Sequence, residues 1–302
     1  MSVATFVACE ICGVHNWTEI HKGKVRDGAF GRFSLDSTVV CSCNGCGVQR
    51  LNEESCHNDD IYTSTDYRKL LGQGDDAASF FEEHDKLQLK QLEELWPFSI
   101  RNKVLVDVGC AAGSFLDHVS GLAKKTIAID PCLEYHESLQ SRGHKAYLSC
   151  HAAIEAGVRD VDFAFSLSVI EHVGNPKAFL ADIATMMTNS SRLLISTPNR
   201  RDVLMDLLPD DYPAFFYRTV HRWYFDLDSF SRCAELAGLR VVEGRCVHRF
   251  GLSNAMKWLR DRKPGGAQSL PAVNKLVDKC WQASLEQAGT GDYLYFWLEK
   301  AK

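Results

Sequence analysis

The segment Val104-Leu-Val-Asp-Val-Gly-Cys-Ala-Ala-Gly-Ser-Phe115 constrains this chain more than any other. Five residues of strand character run into two glycines four positions apart, and a helical pattern begins at Ser114. Glycines at such a turn let the backbone take left-handed angles and come close to a ligand. In an open α/β sheet the turn lies at the carboxyl end of a strand, where ligands bind. The spacing is neither G-x-G-x-x-G nor G-x-x-x-x-G-K-[ST], which argues against a dinucleotide or a nucleoside triphosphate. Downstream, Thr126–Asp130 reads as a strand ending in an acid, 21 residues beyond Gly109. An acid at about that distance accepts hydrogen bonds from ribose hydroxyls.

From Lys103 onward, strand-like and helix-like runs alternate. The strands are Lys103–Val108, Thr126–Asp130, Lys145–Leu148, Val161–Leu167 and Arg192–Ser196. Helical patterns at Ser114–Leu122, Leu133–Ser141 and Lys177–Met187 lie between them, the last introduced by Asn175-Pro176. A helix at Leu227–Ala237, a strand at Leu239–Val247, a polar helical insertion and a closing strand at Tyr293–Leu298 follow. Apolar strands separated by single helices predict an α/β fold with a doubly wound, Rossmann-like, seven-stranded sheet covered on both faces. Ahead of it, Asp75–Trp96 has helical periodicity and Pro97 ends the run.

Residues 1–60 are rich in Gly, Cys, Asn and Ser, with short β-like runs only at Arg32–Leu35 and Thr38–Val40. A segment of this kind buries too little apolar surface to hold itself together. Cys9-Glu-Ile-Cys12-Gly and Cys43-Asn-Gly-Cys46-Gly offer a remedy. Two C-x-x-C-G turns bring four thiolates to one tetrahedral ion, a closed structural zinc site with no open position for chemistry. Cys41 and the Cys56-His57 pair are competing ligands. A redox pair would instead sit between a strand and a helix. Five of the twelve cysteines fall in the first 46 residues, a distribution that fits a reduced, cytoplasmic protein with one metal site better than a disulfide scaffold. The first residues carry no leader pattern, and no window approaches the roughly 18 apolar residues of a membrane span. A net charge of −5 and an isoelectric point near 6.1 give no overall attraction to nucleic acid.

Residues 101–247 resemble the catalytic core of class I S-adenosylmethionine-dependent methyltransferases. The likeness rests on the D-x-G-x-x-x-G strand and turn and the acid closing the next strand. It extends through Ser168-Val-Ile-Glu-His172-Val-Gly-Asn-Pro176, Thr197-Pro-Asn199 and His221-Arg-Trp-Tyr-Phe225. It implies S-adenosylmethionine as cofactor. Asp107 and the turn Gly109, Cys110, Ala111 and Gly113 would hold the methionyl part, and Asp130 with Pro131 the ribose. Ser168 would border the cofactor, and residues around Cys150-His151 the adenine. The N-terminal module resembles that of deoxysugar C-methyltransferases, which act on nucleotide-linked keto-sugars and carry a further α/β domain. Quinone O-methyltransferases hold a divalent ion with E-x-x-E-H; here Ser168 replaces the first acid, which speaks against that ion. The D/N-P-P-Y/F motif of nucleobase N-methyltransferases is absent.

The resemblance implies methyl transfer to oxygen or carbon of a small polar acceptor, sugar-like or a natural product, nucleotide-linked or a glycan. Removing the acceptor proton calls for a base that titrates near neutrality, and histidine is the natural choice. His172 and His221 are the candidates, with Glu171 either orienting His172 or capping the next turn. The aromatic segment 197–225 stands where this fold carries its lid. Tyr62, Asn199, Tyr217 and Arg218 are the expected acceptor contacts. The chain divides into a zinc module (1–60), a helical connection (61–100) and a catalytic domain (101–302). Two other readings compete: an RNA methyltransferase gripping RNA with the zinc module, against which the acidic balance stands, and a non-catalytic partner subunit, against which the intact turn and Asp130 stand.

Overall fold

The structure, a computed structural model, describes residues 8–95, 98–266 and 268–301. Residues 1–7, read as free of a leader pattern, and Trp96-Pro97, expected to close a helical run, lie outside the described residues. The strands are β1 (Trp17–Gly23), β2 (Thr38–Cys43), β3 (Gln49–Leu51), β4 (Val104–Val108), β5 (Lys125–Ile129), β6 (Lys145–Tyr147), β7 (Val161–Leu167), β8 (Met187–Pro198), β9 (Trp223–Tyr224), β10 (Leu239–Val247) and β11 (Tyr293–Lys300).

Seven strands form one sheet in the order β10-β11-β8-β7-β4-β5-β6, with β11 antiparallel to both neighbours. The four pairings among β4, β5, β6, β7 and β8 are parallel. This is the expected doubly wound, Rossmann-like α/β architecture. Strand alternation sorts its side chains onto two cores. Val106, Ala164, Leu193 and Phe296 pack on one face; Leu105, Phe163, Leu194 and Trp297 pack on the other. Both faces are covered, so these strands read as continuous apolar runs.

Local signals set the helix starts. Asn175 accepts a hydrogen bond from the Ala178 amide, with Pro176 in the first turn of helix Pro176–Met186. Asp226 and Ser229 form a capping box at helix Leu227–Leu236. That helix docks Phe230, fully buried, against Phe296 with ring centroids 3.8 Å apart.

A second sheet, β1-β2-β3-β9, is antiparallel throughout. Its last strand comes from the 197–225 segment, which otherwise holds the short helices Val203–Leu207 and Tyr212–Phe216. Arg32–Leu35, expected as a strand, is instead the return arm of a tight turn that meets the chain in one isolated bridge, Arg26 to Phe33. Gly28 and Gly31, both left-handed, bend the chain too sharply there for a ladder. β1 and β3 carry too few apolar residues for periodicity to reveal them. Among the described residues no helix is long and apolar enough to cross a membrane.

Phe230→Ala should cost about 3–5 kcal/mol, the usual result of emptying a fully packed aromatic site. Urea unfolding would read this as a lower midpoint at unchanged slope.

Candidate active site

Strand order reverses between β4 and β7, and the chain leaves β4 there through the glycine turn. Gly109 (φ 79°) and Gly113 (φ 87°) are left-handed, and so is Ala111 between them (φ 47°). A Cβ on Gly109 would lie 2.3 Å from Val169 Cγ2, so the turn and the loop after β7 touch without room for a side chain. Ser168 on that loop is also left-handed (φ 61°), and its hydroxyl bonds that of Tyr293. Strained non-glycine residues on both sides of a switch point are a common mark of a functional site.

These two loops, the 59–68 segment and Arg218–His221 enclose a cavity of about 850 Å³. The expected cofactor residues Asp107, Gly109, Cys110, Ala111, Asp130, Pro131 and Ser168 line it, with Tyr62, Glu171, His172, Arg218 and His221. Asp130 is held by the turn: the Ala111 and Cys132 amides donate to its carboxylate at 2.7 and 3.0 Å. Burial raises its pKa against the pull of those bonds. Asp107 is 4% exposed, and its carboxyl meets no hydrogen-bond donor among the described residues. Burial, reinforced by Asp130, pushes it up to about 8. Burial likewise lifts Glu171 to about 7, while Thr197 Oγ1 donates to it at 3.1 Å.

His172 is half-buried, and its Nδ1 lies 2.7 Å from the Val220 carbonyl and 2.9 Å from the Tyr62 hydroxyl. Tyr62 donates to the same carbonyl at 3.0 Å. A carbonyl only accepts, so these contacts put the His172 proton on Nδ1 and leave Nε2 a lone pair. Burial, with Arg68 and Arg222 nearby, draws its pKa down to about 4, below the near-neutral value expected of the base, so the ring is neutral at physiological pH. His221 packs edge-on at 4.6 Å and is 4% exposed; burial depresses it well below the ordinary range.

Arg222 fixes the loop that carries these groups. Its guanidinium donates to the His172 carbonyl at 3.2 Å and the His57 carbonyl at 3.3 Å, and it pairs with Glu53 (3.0 Å) and Asp59. Its amide and that of Trp223 donate to the Glu171 carbonyl at 2.8 and 3.1 Å. β9 is therefore joined to the loop after β7 on one side and to β3 on the other.

The four expected cysteines converge, with all their sulfurs within 4.8 Å of one another. Cys9 and Cys46 sulfurs are 3.7 Å apart, Cys12 and Cys43 3.5 Å. A tetrahedron with arms of about 2.3 Å has edges near 3.8 Å, so the donor set fits zinc. The Gly45 amide donates to Cys43 Sγ at 3.4 Å, and the Cys46 thiol with the Cys12 and Ile11 amides draws Cys9 down to about 5. Cys41 and Cys56 stay outside the cluster; burial pushes both thiols up, Cys41 to about 11 and Cys56 to about 12.

Three expected contacts lie off the cavity wall. Asn199 is fully buried and donates to the Gly289 and Gly291 carbonyls at 3.1 and 2.7 Å, satisfying backbone rather than facing a ligand. Tyr217 is buried and donates to Gln49 at 3.0 Å, tying the 197–225 segment to β3. Gly113 caps helix Ser114–Ser120, where a Cβ would strike Leu139 at 2.5 Å. Conversely, Arg68, Arg249 and Tyr293 line the cavity unannounced. They come from a short helix, a loop and the last strand, and no motif links them.

A family model for a methyltransferase domain matches residues 80–244, more than half of the chain. The chain belongs to that family and is a class I S-adenosylmethionine-dependent methyltransferase. It is 27% identical over 149 residues to the ubiquinone biosynthesis O-methyltransferase of Nitrobacter winogradskyi, covering 46% of this chain and 57% of the relative. With the protein of that name from Bradyrhizobium diazoefficiens it shares 28% over 127 residues, 39% of this chain and 50% of the relative. The match thus spans little more than half the length of these relatives. An S-adenosylmethionine-dependent methyltransferase structure from Archaeoglobus fulgidus superposes with a TM-score of 0.48 at 16% identity, covering 73% of this chain and 96% of that one.

Proposed function

We propose that the protein transfers a methyl group from S-adenosylmethionine to a hydroxyl oxygen of a small polar acceptor, with His172 as general base. The observation that carries this reading is the neutral His172, its Nδ1 proton committed to Val220 and its Nε2 free on the wall of the cavity that holds the glycine turn. The O-methyltransferase relatives support oxygen as the acceptor atom.

S-adenosylmethionine supplies a methyl group on a positively charged sulfur, an excellent leaving group. The protein's task is then to align the acceptor and take its proton. Asp107, buried without a donor, suits the cationic methionyl end, and Asp130, rigidly held at the strand end, suits the ribose. Tyr62 orients His172, and the Glu171 carboxyl, within 4.8 Å of it, stabilises the protonated ring when it is itself ionised. His221 backs His172, and Arg218 faces the acceptor side. The N-terminal 60 residues act as a zinc-stabilised clamp, residues 61–100 as a connection that lines the cleft, and residues 101–302 as the catalytic unit, with 197–225 as a lid fixed partly by β9.

His172→Ala should lower turnover by about two to four powers of ten with S-adenosylmethionine affinity nearly unchanged. Near-wild-type turnover would remove His172 from the mechanism. The cofactor's charge sets a pH dependence. Below about pH 8 Asp107 is largely protonated in the free protein. A bound cation favours the ionised carboxylate, so binding expels a proton and low pH opposes it. Affinity should therefore rise from about pH 6 to 8, by at most about tenfold per unit for one carboxyl, with proton release visible by calorimetry in buffers of different ionisation heat. Elemental analysis of protein purified without chelator should find one zinc per chain. Cys9→Ser should lose it and raise hydrogen exchange selectively through β1–β3.

A further inference from the structure

Many arginines of this protein, buried or not, are paired with acids. Arg50 meets Glu10 and Glu53, both at 2.8 Å. Arg222 meets Glu53 and Asp59, Arg249 meets Asp292 at 2.6 Å, and Arg200 meets Asp226. Three arginines at or beside the cavity break the pattern: Arg68, which donates to Gln73 and lies over the Phe80 ring, and the neighbours Arg26 and Arg218. Arg26 and Arg218 are partners in a parallel bridge: the Arg26 amide donates to the Tyr217 carbonyl, and the Thr219 amide to the Arg26 carbonyl, both at 3.0 Å. Bridge partners send their side chains to the same side. Neither guanidinium has a carboxylate within 4.0 Å among the described residues, and the Nε of each is buried without a hydrogen-bond partner.

Arg26 is 4% exposed and lies over the rings of Phe215 (4.6 Å) and Phe30 (5.2 Å). The ionisable groups that offset its charge are the phenols of Tyr212, Tyr224 and Tyr67. All three are pushed above the ordinary phenol range by burial, so none carries charge at neutral pH. Arg26 also acts on His221, which lines the cavity, and Arg218 lines it directly. A buried guanidinium without an anion is costly, and here the buried Arg26 and the half-buried Arg218 stand together beside the cleft with no acid. The cavity's two carboxyls at the glycine turn are Asp107 and Asp130, and the arginine that acts on Asp130 is Arg68.

We propose that the acceptor carries an anionic group, a carboxylate or phosphate, gripped by Arg218 with Arg26 behind it. This rests on reading the cavity as the methyl-transfer cleft, and it adds what the acceptor must present besides its hydroxyl. Guanidinium forks match both oxyanions, and desolvation strengthens the grip.

Inorganic pyrophosphate is the probe, titrated by calorimetry into the full-length protein with and without saturating S-adenosylhomocysteine. Wild type should bind it. Arg218→Gln and Arg26→Met should each weaken binding at least about tenfold while S-adenosylhomocysteine affinity stays within about twofold. Arg26→Met, which removes an unpaired buried charge at similar volume, should also leave the melting temperature of the ligand-free protein equal or higher. Absence of pyrophosphate binding to wild type, or binding unchanged in both variants, overturns the proposal. A tenfold loss of S-adenosylhomocysteine affinity in Arg218→Gln also overturns it, because the arginine would then serve the donor's own carboxylate. Failure of wild type to bind S-adenosylhomocysteine would count against the cofactor placement alone, since the titration without it still decides the anion site.

Discussion

The cleft depends on one guanidinium. Arg222 touches the carbonyls of His57 and His172 and the carboxylates of Glu53 and Asp59, while its own amide holds the Glu171 carbonyl. A loop after a parallel strand is ordinarily free to move, because its backbone groups bond to water. Here the loop after β7 is tied to β9, β9 is paired to β3, and Arg50 under Trp223 carries the contact to Glu10 inside the first cysteine turn. The cysteine cluster and the catalytic histidine candidate are thus ends of one chain of charge-assisted contacts, Glu10, Arg50, Glu53 and Arg222, in which both arginines are buried and Glu53 is exposed.

The same module shares the apolar core of the catalytic sheet. Cys9, Cys46 and Val48 pack in one cluster with Trp223, Phe230 and Leu298. A segment too small to support its own core therefore gains one from a neighbour, and four thiolates around an ion would brace it where the two meet. The arrangement accounts for the burial of the 197–225 segment: Phe216 and Trp223 are packing residues, and Tyr217 bolts it to β3.

The cavity carries charges of both signs. Buried carboxyls stand at the glycine turn with Arg68 near them, and Arg218, without an acid, stands on the 197–225 segment. His172 lies between, kept neutral by burial. In a water-poor cleft these groups act at low dielectric, so each would be costly alone and is useful only opposite a ligand of the other sign.

The sheet was legible in the sequence because β4, β5, β7 and β8 are apolar runs bounded by glycine, proline and acid, and both of their faces are buried. The glycine turn and Asp130 were legible for the same local reason: a strand end, a sharp turn and an acid at a set distance follow from backbone sterics within about 30 residues. The cysteine turns repeat one spacing and were equally plain. Tertiary structure alone decided what faces the cavity. Asn199 follows a sheet strand and looks like a ligand contact, yet it spends its amide on the backbone of a segment 90 residues away. Arg68, Arg249 and Tyr293 reach the cavity from three remote segments, and Arg26 meets Arg218 across a bridge spanning most of the chain. Periodicity reports which face of an element is buried. It carries no record of which distant element covers that face, and polar groups become partners or orphans only when that neighbour arrives.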